Sequence, residues 1–166
     1  MKDLIFIAGA PGVGKSSVAS ELQKKLGSPC FEFGWIPEFR QKGTETIPYK
    51  EEESIAFENL VLVTKNYVKH KFGNIIVTDL QDERILELDN HFENYNYALF
   101  TLTVSDDELL KSRILNESRS SGYRDWEAGL EINKKILARK LLPHEVRIDT
   151  ANKSISVIIE EIQKHV

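Results

Sequence analysis

The sequence predicts an α/β fold, a sandwich of helices around a parallel β-sheet. Strand-like and helix-like segments alternate from one end of the chain to the other. The clearest strand-like segments, Leu4-Ile5-Phe6-Ile7-Ala8, Ile75-Ile76-Val77 and Ala98 to Val104, are unbroken apolar runs, as parallel strands buried on both faces require. No repeat, low-complexity tract or long Gly/Ser/Pro linker interrupts the pattern, and a chain of 166 residues suits a single domain over 1–166.

Each element follows from its residues. After the first strand and a glycine-rich loop, Val18, Ala19, Leu22 and Leu26 recur at helical spacing, and Gly27 and Pro29 end that helix. Cys30 to Phe33 reads as a short second strand, and 34–48 as an irregular segment rich in Gly, Pro and Thr. Glu51-Glu52-Glu53 suits a helix N-terminus, and Ile55, Leu60, Val63, Tyr67 and Val68 form the apolar face of a helix running to about Lys71. Gly73-Asn74 precedes the third strand, which closes on Asp79, and a short helix is expected over about 82–92. Behind the fourth strand, Ser105-Asp106-Asp107-Glu108 matches a capping box with Ser105 as N-cap. A polar stretch holding Arg119, Gly122 and Arg124 leads to a helix over about 127–141, ended by Pro143. Val146-Arg147-Ile148 is a last short strand, and Ile155, Ile158, Ile159 and Ile162 mark an amphipathic final helix.

The composition narrows the function classes. Apolar residues are 41% of the chain and charged residues 29%, as in ordinary globular proteins. A net charge of −4 argues against a general nucleic-acid surface, which is usually basic, while leaving room for a local pocket for a phosphorylated ligand. A single cysteine, Cys30, permits no internal disulfide and suits a reducing compartment, so a cytoplasmic location is expected. The early apolar run is too short to span a bilayer and lacks the lead-in of a secretory signal, so no membrane partner is expected. The four histidines, His70, His91, His144 and His165, are scattered among charged neighbours and read as surface residues.

The segment with the strongest chemical content is Gly9-Ala10-Pro11-Gly12-Val13-Gly14-Lys15-Ser16, followed by Ser17. Glycines at these positions permit backbone angles that gather several amide N–H groups around one anion. The helix that follows presents its positive end to the same anion. Lys15 adds a full charge at the β/γ-phosphates of a nucleoside triphosphate, and the Ser16 hydroxyl can ligate Mg²⁺. A strand before the loop and a helix after it are the context this motif needs. A guanine-specific switch would also need Asn-Lys-x-Asp and Asp-x-x-Gly. Asn133-Lys134-Lys135-Ile136 and Asn152-Lys153-Ser154-Ile155 lack the aspartate, and Asp79-Leu80-Gln81-Asp82 lacks the glycine.

At this loop the chain resembles the P-loop NTPase superfamily. The short insert between Gly9 and Lys15, the length and the arginine-bearing segment after the fourth strand look like its small-molecule kinase branch, which includes nucleoside monophosphate, shikimate and gluconate kinases and chloramphenicol phosphotransferase. The resemblance implies ATP and Mg²⁺ as cofactors and a lid at about 116–130 that closes over the nucleotide to exclude water. It implies that Arg113 sits against the adenine and that Arg119 or Arg124 contacts the phosphates, an Arg-x-x-Arg pair being absent because position 116 is Asn. The segment Asp149-Thr150 looks like the one that flanks adenine. Asp79, at the carboxyl end of a buried strand, holds Mg²⁺ through water or serves as base. Trp35, Glu38 and Arg40 fall where these kinases face the phosphate acceptor, while Glu32, lying within the second strand, does not match the base expected after it.

The sequence therefore predicts a three-layer α/β/α sandwich with a five-stranded parallel sheet in the order 2-3-1-4-5 and the loop at the carboxyl end of the first strand. The expected activity is transfer of the γ-phosphoryl group of Mg²⁺-ATP to a small metabolite, nucleoside, nucleotide or antibiotic, by a monomer or homodimer. The competing readings are an ATP-binding regulatory module or ATPase without such transfer, and a kinase of polynucleotide ends.

Overall fold

The computed structural model describes residues 1–35, 48–118 and 121–166. Glu38, Arg40 and Arg119, three of the expected site residues, lie outside them, and Trp35 is described only through its backbone.

The strands are β1 (Leu4–Gly9), β2 (Cys30–Glu32), β3 (Ile75–Thr78), β4 (Tyr97–Thr103) and β5 (Glu145–Asp149). They form one sheet in the order β2-β3-β1-β4-β5, with every pairing parallel, as the sequence predicts. β1 is central: Phe6 pairs with Val77 on one side and Leu99 on the other. The period of two along β1 divides the core. Ile5 and Ile7 face a cluster built with Val18, Leu22, Leu110, Ile158 and Ile162, from helices α1 (Lys15–Leu26), α5 (Asp107–Leu115) and α7 (Ile155–Gln163). Leu4, Phe6 and Ala8 face the other cluster, with Phe57, Leu60, Ile85 and Phe92 from α2 (Tyr49–Lys69), α3 (Asp82–Leu86) and α4 (Leu88–Phe92). Helix α6 (Trp126–Ala138) packs beside α5.

Several local expectations shift. The second strand stops at Glu32 because Phe33 enters a 3₁₀ turn, Phe33–Trp35. The helix over 82–92 is two short helices that meet at Glu87. The buried face of α2 is Ala56, Phe57, Leu60, Val61 and Thr64, so Ile55 points outward and is 45% exposed. The cap of α5 is Asp106 rather than Ser105. The Asp106 carboxylate accepts from the Leu109 N–H at 3.0 Å, while the Ser105 N–H is drawn to Asp149 Oδ1 at 3.1 Å. Aspartate and serine both cap well, so the sequence alone does not fix which does. His70, His144 and His165 are exposed, but His91 is half-buried with its ring 5.1 Å from that of Phe57. Among the described residues no helix is long and apolar enough to cross a membrane.

Candidate active site

The glycine loop hangs from the end of the central strand. Ala10 and Val13 are buried beneath it and anchor it to the core. Gly9 adopts φ 135°, and a Cβ there would meet the Leu102 carbonyl oxygen at 2.3 Å, so the backbone admits no side chain. Gly12, at φ 86°, lies against Ile114 of α5, whose Cγ1 a Cβ would meet at 2.7 Å. Gly14, at φ 101°, starts α1 and has open space where a side chain would stand. The loop is thus tight where it touches the core and open where a phosphate would sit at the helix N-terminus.

Lys15 is largely buried, and its Nζ donates to the carbonyls of Gly9 and Ala10 at 3.0 and 3.2 Å. It also lies 3.8 Å from Asp79 Oδ1. Asp79 follows β3 with φ 68°, a left-handed conformation that Asp tolerates better than most residues. The backbone of Gly34 approaches its other oxygen: a Cβ there would stand 3.8 Å from Oδ2. Glu32 completes a carboxylate pair around the lysine. Burial raises its pKa first, the Asp79 charge raises it further, and Lys15 opposes both.

Two cavities meet at these groups. The first, of about 680 Å³, is lined by the loop from Pro11 to Ser17, by Glu32 and Arg113, and by Asn116, Ser118 and Ser121 of the segment after α5. The second, of about 540 Å³, lies on the far side of Asp79, between Phe33, α3 and α6. Pro11, Lys15, Asp79 and Tyr123 border both.

Arg113 and Thr150, distant in sequence, come together at the first cavity. Arg113 Nη1 donates to Thr150 Oγ1 at 3.0 Å and Nη2 to the Thr150 carbonyl at 2.9 Å. The buried Thr150 hydroxyl in turn lies 3.2 Å from the Val13 and Thr103 carbonyls, which ties β5 to the loop. Asn133 is fully buried, and its amide bridges the N–H and carbonyl of Val104 at 3.2 and 2.8 Å, joining α6 to the end of β4. Arg124 is not at either cavity: Nη1 donates to the Ser121 and Tyr123 carbonyls at 2.6 and 2.8 Å. Ser16 and Asp79 border one cavity, as the Mg²⁺ reading requires. Among the described residues no group of three or more His, Cys, Asp or Glu could hold a metal ion.

Sequence reasoning passed over Glu32 and Tyr123. Glu32 becomes visible once the second strand ends one residue early, because that puts it at the carboxyl edge where ligands of open α/β sheets bind. Tyr123 had no signal beyond its neighbourhood.

A family model described as an AAA domain matches residues 5–141. No curated protein matches the chain closely enough to count as a relative. Several solved structures are similar. The tunicamycin resistance protein of Deinococcus radiodurans is 18% identical with a TM-score of 0.71, over 99% of this chain and 95% of that one. A gluconokinase from Sinorhizobium meliloti 1021 is 18% identical with a TM-score of 0.64, over 95% of this chain and 87% of that one. A shikimate kinase from Aquifex aeolicus is 16% identical with a TM-score of 0.59, over 98% and 95% of the two chains. At these identities the likeness is one of fold.

Proposed function

The chain belongs to the AAA domain family, and on that premise we propose that it transfers the γ-phosphoryl group of Mg²⁺-ATP to a hydroxyl of a small molecule. The observation that carries this reading is the seam between the two cavities: one chamber for a nucleotide and one for an acceptor share Lys15 and Asp79. A pure nucleotide-binding module needs only the first. The neighbours of similar fold include a gluconokinase and a shikimate kinase, which supports phosphoryl transfer without naming the acceptor.

Mg²⁺-ATP, when bound, supplies an electrophilic phosphoryl group. The loop backbone and Lys15, whose Nζ now donates to the Gly9 and Ala10 carbonyls, would hold its charge. Ser16 and Asp79 are the residues to hold the metal. Arg113, fixed by Thr150, forms the wall against the base. Glu32, which lines the first chamber beside Asp79, has a raised pKa and would take the proton from an attacking hydroxyl that reaches the seam. Arg119 and Arg124 remain the lid candidates for charge on the transferred group, Arg124 having to leave its carbonyl partners to reach it.

The test is phosphoryl transfer from radiolabelled ATP to pooled hydroxyl compounds, with Lys15→Ala as control. Labelled product from one pool, lost in the control, supports the proposal. ATP binding with no transfer to any pool sinks it and leaves the regulatory-module reading.

A further inference from the structure

We infer that the acceptor carries no negative charge and presents a protonated amine or other strong hydrogen-bond donor to Asp82, with an apolar face against α6. This rests on the phosphotransferase reading and names the substrate class of its second chamber. One wall of that chamber is apolar, made by Phe33, Leu80, Ile85, Ile132 and Ile136. The same chamber carries the carboxylates of Asp82 and Glu83 from the first turn of α3.

Among the described residues the cations nearby are already engaged, Lys15 by the Gly9 and Ala10 carbonyls and by Asp79. Arg139 stands between two carboxylates and gives itself to one. Its Nη1 and Nη2 bind the fully buried Glu145 side chain at 2.7 and 2.9 Å. Its Nε faces Asp82 at 3.8 Å, beyond hydrogen-bond range, and is buried without a hydrogen-bond partner among the described residues. Arg147 donates to the Leu137 and Arg139 carbonyls at 3.1 and 3.2 Å. Lys135, on the chamber rim, pairs with Glu131 at 2.8 Å. With Lys15 offset by Asp79 and Lys135 by Glu131, Asp82, Glu83 and Glu145 are set against Arg139 and Arg147, an excess of one negative charge among the described residues. Asp82, a third exposed, keeps its acceptor oxygens for a ligand. Burial raises its pKa more than Arg139 lowers it, the sign of a carboxylate short of a donor. A carboxylate or phosphate on the acceptor would meet like charge with no described arginine to receive it. An ammonium or hydroxyl meets an acceptor, and its carbon skeleton meets the apolar wall.

The experiment is calorimetric titration of the full chain, loaded with Mg²⁺ and a non-hydrolysable ATP analogue, using matched pairs: glucosamine against gluconate, and adenosine against adenosine monophosphate. The expected result is that the uncharged or amine-bearing member of a pair binds at least about tenfold tighter. Asp82→Asn should cut the amine's affinity by about tenfold without lowering the melting temperature. Tighter binding of the acid member, an amine preference that survives Asp82→Asn, or binding of no probe overturns the inference. Amine binding without transfer in the parallel ATP assay leaves the inference standing and removes the phosphotransferase reading instead.

Discussion

The two chambers that meet at Lys15 are walled differently. Under the nucleotide loop, Ala10 and Val13 are 0% and 1% exposed, and Thr150 locks β5 to the loop backbone. Across Asp79, the second chamber is bordered by Tyr49, 69% exposed, and by the first turn of a five-residue helix. The loop that floors the first chamber sits on the core and would hold its shape before a ligand arrives, while the opposite lining comes from exposed Asn116, Ser118 and Ser121. The second sets buried Ala8, Phe33, Leu80, Ile85 and Ile136 beside short elements with exposed rims, and those rims are free to differ between proteins of this fold. A rigid donor site with an adaptable acceptor site is what one reaction on many substrates requires.

Substitutions can break or sharpen that contrast. Lys15→Ala should have the largest effect, lowering kcat by about 10²–10³ through loss of charge at the transferred group, with an unchanged melting temperature in calorimetry. Gly9→Ala should show that the donor loop is core: the clash with the Leu102 carbonyl predicts a loss of about 3 kcal/mol in urea denaturation. A loss under about 1 kcal/mol would mean the loop is looser than described. Thr150→Val removes the hydroxyl that holds Arg113, and ATP affinity should fall about fivefold by titration while acceptor KM stays constant. Asp106→Ala should cost about 1 kcal/mol of stability and Ser105→Ala almost nothing, a direct reading of which residue caps α5.

Glu32, in the first chamber beside the seam, offers a pH test of the site. Its pKa is raised in the folded chain, so the ionised form is the disfavoured one. Stability tied to Glu32 is then greatest in acid and falls as pH rises from the ordinary carboxylate range through the raised value. Glu32→Gln should match the parent in acid and exceed it in stability at neutral pH, while transfer activity drops. Equal stability of the two proteins at every pH would remove the unusual environment from Glu32.

Legibility in the sequence follows the same division. The loop is eight consecutive residues whose types are each demanded by one anion, and the central strands are continuous apolar runs, so both could be read directly. Alternation with helices predicts a parallel sheet but fits several strand orders, and the order 2-3-1-4-5 came with the resemblance to P-loop kinases. The second chamber draws Phe33, Tyr49, Asp82, Tyr123 and Lys135 from segments with no fixed spacing, and only tertiary packing brings them together. Glu32 was obscured by a single residue of strand length. The outward turn of Ile55 reflects a small rotation of α2, whose faces at both settings are apolar enough to pass. Glu38, Arg40 and Arg119 lie beyond the described residues, so their parts stay with the sequence.

The place of β1, paired on both sides and ending in the loop, has a consequence for amide exchange. The N–H groups of Phe6 and Ile7 lie in the middle of the sheet and exchange with solvent only when the whole sheet opens. Any ligand held by the loop therefore slows their exchange by its full linkage to folding, about 2.7 kcal/mol at a hundred times its dissociation constant. Two amides inside the sheet become a gauge of its occupancy.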